Sequence, residues 1–88
     1  METIIIMTEV NDSRFGKYIR FNIKGTGKLV AEVDRRDKKY LIFNGYNQIG
    51  TRTQKDAAIK FAQDYVRGFI PDAQFKWNVM TEVIKRLA

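Results

Sequence analysis

Between Phe15 and Lys24 the chain alternates, with Phe15, Ile19, Phe21 and Ile23 on one side and Tyr18, Arg20, Asn22 and Lys24 on the other. A two-residue period is the mark of a half-buried strand, because successive side chains point to opposite faces of a sheet. Lys17 is the exception on the apolar side, a place a lysine tolerates near a strand end by extending its amine to water. Upstream, Glu2 to Val10 is dense in Thr, Ile and Val, which suit a pleated surface, until Asn11-Asp12-Ser13 interrupts with turn formers. Downstream, Lys24-Gly25-Thr26-Gly27-Lys28 supplies a hairpin loop, since glycine accepts the positive φ of tight turns. A three-residue loop there sets Ile23 against Leu29, Phe21 against Ala31 and Ile19 against Val33. The other face then pairs Arg20 with Glu32 and Tyr18 with Asp34, so the register is chemically consistent on both faces.

Asp34 to Lys38 makes a second turn, and Lys39 to Asn44 a strand whose apolar residues fall on both faces, as expected of an interior or helix-covered strand. Asn44 to Gly50 reads as a loop leaving the sheet. Thr53 with Asp56 three residues on resembles a capping box, and Ala58, Phe61, Ala62, Tyr65 and Phe69 follow at helical spacing up to a stop at Gly68. Pro71-Asp72 opens a second helical pattern, with Trp77, Met80, Ile84 and Leu87 as its apolar stripe and Lys85 and Arg86 near its end, where the helix dipole favours cations. The expected fold is a single α+β domain over residues 1–88: a four-stranded antiparallel sheet (ββββ) followed by two C-terminal helices packed mainly on one face.

Length and composition fit one core: 88 residues, 44% hydrophobic and 12% aromatic. Neither cysteine nor histidine occurs, which removes disulfides, thiol nucleophiles, zinc sites built on His or Cys, and the usual general base near neutral pH. Ser13 is the sole serine, with no lysine or carboxylate placed to activate it. Glu32 and Asp34 share a strand face and are read as partners of nearby bases rather than as a Mg²⁺ site. No glycine run sits at a strand-to-helix turn where a phosphate loop belongs. The expectation is a non-enzyme with no cofactor or metal. No apolar run reaches the ~20 residues of a membrane span, and the chain reads as cytoplasmic without a membrane partner.

Charge is where the sequence points to a partner. The net charge is +6, and residues 14–39 hold nine bases (Arg14, Lys17, Arg20, Lys24, Lys28, Arg35, Arg36, Lys38, Lys39) against Glu32, Asp34 and Asp37. Such a segment attracts polyanions or an acidic protein face. The expected interface joins the Arg35-Arg36-Asp37-Lys38-Lys39 turn to the Lys24/Lys28 hairpin tip, with Arg20 nearby, and Tyr18 and Tyr46 as stacking platforms. Arg52 and Lys55 extend it to the helix start, where unpaired backbone N–H groups favour phosphate.

The Gly25-Thr26-Gly27 hairpin, strand, turn, strand and then Thr53-Gln54-Lys55-Asp56-Ala57-Ala58-Ile59-Lys60-Phe61-Ala62 is similar in order to the βββα half of a double-stranded-RNA-binding domain, over about residues 17–66. It resembles equally the arm-binding domains of phage integrases, three strands and a helix that read DNA with the sheet. The first resemblance implies a phosphate-gripping lysine, which maps onto Lys55. Nucleic-acid binding, RNA ahead of DNA, is the expectation. The alternative is an inhibitor or antitoxin-like accessory protein of the phage or mobile-element kind, binding a host toxin or nuclease, with RNA as part of the complex in one version. Its handles are a basic patch on an acidic surface, an unpaired edge at the first strand, or a homodimer through the Trp77 helix.

Overall fold

The structure, a computed structural model, describes residues 2–87. Its backbone is one mixed seven-stranded sheet with one helix: β1 (Thr3–Asp12), β2 (Gly16–Ile23), β3 (Leu29–Arg36), β4 (Lys39–Asn44), β5 (Asn47–Arg52), α1 (Lys55–Arg67), β6 (Ala73–Trp77) and β7 (Glu82–Ile84). The strand order is β5-β4-β3-β2-β1-β6, with β7 continuing beside β1. β1 to β5 form antiparallel hairpins in chain order. α1 then crosses the sheet, so that β6 and β7 return parallel to β1 on its other side.

The core lies between the sheet and α1. Ala58, Ala62 and Val66 form the helix stripe that meets Ile5, Met7, Ile19, Phe21, Val33 and Ile42. Small side chains on that stripe let the helix backbone come close to the sheet. Gly50 on β5 extends the same fit, since a Cβ there would stand 2.7 Å from the Phe61 ring. Phe21, Ile5 and Ile42 are fully buried, each worth roughly 1.5–3 kcal/mol relative to exposure.

Two of the sequence expectations are overturned here. The sheet is neither four-stranded nor wholly antiparallel, because Asn47–Arg52 pairs with β4 as a fifth strand instead of leaving as a loop. Nor is there a second helix among the described residues, because Ala73–Trp77 and Glu82–Ile84 are strands on β1. The physical reason lies in β1, whose outer-edge backbone N–H and C=O groups gain a ladder from these two segments that a packed helix does not offer. The Trp77, Met80, Ile84, Leu87 spacing is thus no stripe: Met80 and Leu87 are exposed, and Trp77 retains 46% exposure.

Smaller differences follow local geometry. The β2–β3 register matches at Tyr18↔Asp34, Ile19↔Val33, Arg20↔Glu32 and Phe21↔Ala31. A bulge then sets Asn22 against Leu29, so the expected Ile23–Leu29 pair does not form. Phe15, expected on the apolar face, sits in the β1–β2 turn with 56% exposure, beneath the guanidinium groups of Arg14 and Arg86. The Thr53 capping box is absent, and Gln54 caps α1 without a side-chain bond. Gly68 does end the helix, at ordinary right-handed φ.

Candidate functional site

Antiparallel alternation sends successive turns to opposite ends of a sheet. The β1–β2 and β3–β4 turns, the β5–α1 junction and the end of β7 gather at one end. That end collects Arg14, Lys17, Arg35, Arg36, Lys38, Lys39, Arg52, Lys55, Lys85 and Arg86, ten of the chain's 16 bases. Lys24, Lys28 and Tyr46 lie at the other end, separated by the eight residues of β3, about 25 Å of extended chain. The Arg35–Lys39 turn and the Lys24/Lys28 tip therefore do not share a surface, and Tyr46, fully exposed between β4 and β5, is remote from the basic end.

Within the basic end the sheet register aligns cations into a row. Arg35 on β3 opposes Tyr40 on β4, and Tyr40 opposes Arg52 on β5. One residue beyond the Tyr18↔Asp34 pair, Lys17 on β2 joins the same rung. At the usual strand spacing the row Lys17–Arg35–Tyr40–Arg52 is about 14 Å long. It faces the helix side: Tyr40 packs against the core cluster, and the Arg52 guanidinium lies 4.6 Å from the Phe61 ring centroid. Between the row and the start of α1 is a cleft of about 220 Å³ lined by Glu9, Lys17, Arg35, Tyr40 and Lys55, among others.

The electrostatics divide the bases. Lys55 bridges to Glu9 at 2.7 Å, Arg36 to Asp34 at 3.6 Å, and Arg86 to Asp12 at 2.8 Å. Arg20 is held by Glu82 on the open face, away from α1. Among the described residues Lys17, Arg35, Lys38, Lys39 and Arg52 make no ion pair, so their charge is available to a ligand. The uncapped first turn of α1 adds the positive end of a helix dipole beside Lys55.

Tyr18 is not free to stack a base. It is half-buried on the open face and donates its hydroxyl hydrogen bond to Asp12 Oδ2 at 3.1 Å, and burial together with that carboxylate raises its pKa. Asp12 is itself a lock. Arg86 Nε (2.9 Å), the Arg14 amide (2.8 Å) and the Phe15 amide (3.1 Å) all donate to it, while the Arg86 amide donates to Ser13 Oγ. The Arg86 bond above all, opposed by burial, holds the Asp12 carboxyl well below the usual range. This lock fastens the end of the chain to the β1–β2 turn.

The open face also carries Glu32 beside Asp34. Burial first, and then Asp34, pushes Glu32 up to about 8. The bases on this face are already engaged, Arg20 by Glu82 and Arg36 by Asp34, which leaves the rung on the helix side as the better anion surface. Among the described residues no three His, Cys, Asp or Glu side chains cluster, and no helix is long and apolar enough to cross a membrane.

In the sequence Lys17 stands out as a break in alternation and as one of nine bases in residues 14–39, but not as an interface residue, and Tyr40 only as part of a strand. The available signal was that break itself, a charged residue on the apolar face one step beyond the core. β1, which could offer a protein partner an edge only if unpaired, is paired on both sides, so that route is closed. The βββα order over residues 17–66 is also interrupted, because β5 intervenes before α1. Comparison with protein families, with curated proteins and with solved structures gave no match.

Proposed function

We propose that this chain is a non-catalytic nucleic-acid-binding protein that grips phosphates at the basic end of its sheet. The observation that carries the reading is the row of three unpaired cations, Lys17, Arg35 and Arg52, on one rung beside Lys55 and its cleft. Phosphate contacts of this kind supply sequence-independent affinity. A single strand suits the site better than a duplex: α1 lies flat on the sheet, so no helix projects to enter a major groove. RNA ahead of DNA remains the expected class.

The test is fluorescence anisotropy with labelled single- and double-stranded RNA and DNA, using nuclease-treated protein at about 50 and about 200 mM salt. Binding to single strands that weakens steeply with salt is expected. Lys17→Glu with Arg35→Glu is expected to abolish it, while Tyr46→Ala leaves it intact, circular dichroism confirming that each variant is folded. Absence of binding by the wild type at low salt, or unchanged affinity of the double variant, refutes the reading.

A further inference from the structure

The two edges of the sheet are built differently. β5 is short and carries Asn47, Gln48, Thr51 and Arg52, with a register irregularity at Ile42/Phe43 of its neighbour. Polar side chains and bulges are how monomeric sheets blunt an edge. Along the opposite edge, β6 and β7 run end to end beside β1, and the bend between them leaves Val79 96% and Met80 70% exposed. Trp77 precedes this bend, also with substantial exposure. Contiguous apolar exposure of this kind marks a docking surface. The backbone is ready as well. Asp72 C=O accepts from Thr3, and the Asn78 N–H donates to Met7. Alternation in a parallel ladder therefore turns the N–H and C=O groups of Phe75 and Trp77 outward.

We propose that this edge is a homodimer interface, formed by antiparallel pairing of β6 with β6 of a second copy. Charge selects a second copy as the occupant. Residues 73–84 carry one base, Lys76, and one acid, Glu82, so this stretch is neutral in a chain of net charge +6. Arg67, whose guanidinium lies 4.8 Å from the Phe75 ring centroid, is the one further base at this edge, and Asp64 pairs with it at 3.7 Å. Two copies therefore meet here with less repulsion than at the basic end, to which an acidic partner is drawn. Side-chain size and hydrogen bonding select the register. With the dyad on Phe75, Ala73 faces the partner's Trp77 and Gln74 faces the partner's Lys76, small against large with no like charges opposed. The same register carries Val79 and Met80 past the partner's Pro71 and Ile70, apolar against apolar. It also makes Phe75 a hydrogen-bonded pair with its own copy, as its outward backbone groups require. The dyad stands perpendicular to the sheet, so both helices share one face and both basic ends stay open.

The test follows mass by light scattering and the emission of Trp77, the only tryptophan, from about 1 to about 200 µM, where mass action moves a dimer equilibrium. The expected result is a species of twice 10.3 kDa, with Trp77 emission shifting to the blue as it forms. Val79→Lys with Met80→Lys, both exposed and so tolerated by the monomer, is expected to give a monomer with red, concentration-independent emission. Val83→Lys lies beyond the paired register and is expected to leave the dimer intact. A wild type that stays monomeric throughout overturns the proposal, as does a dimer that survives the Val79→Lys/Met80→Lys change.

Discussion

Glu32→Gln is expected to flatten the pH dependence of folding on the alkaline side. Glu32 stands on the open face of β3 beside Asp34, with Arg20 and Arg36 as the bases that oppose the effect. Its pKa rises from 4.5 to about 8 because burial disfavours the charged form and because Asp34 already holds a negative charge there. Between those values the folded chain keeps a proton that the unfolded chain releases. Unfolding therefore frees a proton, and stability is greatest below about 4.5 and declines as pH rises through about 8. At 1.36 kcal/mol per pH unit the full gap would amount to ~5 kcal/mol for a sequestered group. Glu32 is only half-buried, and solvent screening reduces this to about 1–2 kcal/mol.

A loss of that size is measurable in a domain of 88 residues, whose total stability is about 4–13 kcal/mol on a per-residue scale. Urea unfolding followed by circular dichroism at about pH 5 and about pH 8.5 reads it as a lower midpoint at the higher pH with an unchanged slope. Glu32→Gln is expected to be nearly as stable at the higher pH as at the lower. Asp34→Asn, which removes the neighbouring charge but not the burial, is expected to fall between the two. A wild type equally stable at both pH values, or a glutamine variant that declines in parallel with it, refutes the reasoning.

Lys17→Ala with Arg35→Ala is expected to reduce the slope of log affinity against log salt by about 1.4 for a single strand, two contacts at about 0.7 each, read by anisotropy. Gly50→Ala drives a Cβ into the Phe61 ring and is expected to cost about 1–2 kcal/mol by urea unfolding, with Phe61→Leu recovering part of the loss. Phe21→Ala empties the largest fully buried site and is expected to cost about 3–5 kcal/mol by the same measurement, a large share of the total. Arg86→Gln removes the main partner of Asp12. Because the depressed Asp12 pKa contributes stability that is lost as pH falls below the ordinary carboxylate range, the variant is expected to be less stable near neutrality and to show a shallower acid limb between about pH 5 and about pH 2.

The hairpin-rich half of the fold was legible because local pattern and local pairing agree there. Four of the five β2–β3 pairs follow from alternation and loop length alone, and Lys39–Asn44 from its apolar residues on both faces. The second half was not, because its structure is decided far away in sequence. Ala73–Ile84 holds apolar residues at a helical period by coincidence. Its Val79, Thr81, Val83 and Ile84 are equally β-branched. The choice falls to β1, whose outer edge lies about seventy residues upstream and pairs in parallel with both segments.

Charge was legible as an amount and not as an arrangement, for a related reason. Arg35 and Arg36 are neighbours in the chain and form a basic run on paper, but alternation puts Arg35 into the cleft and turns Arg36 to Asp34 on the open face. A run of bases in a strand is thus split between two surfaces, and the hairpin-tip lysines are divided from it by a full strand length. Lys17, Arg35 and Arg52 are distant in sequence and come together because three hairpins in register place them on one rung. In a sheet protein the unit of an electrostatic site is the rung, and rungs become visible only once the strand pairing is known.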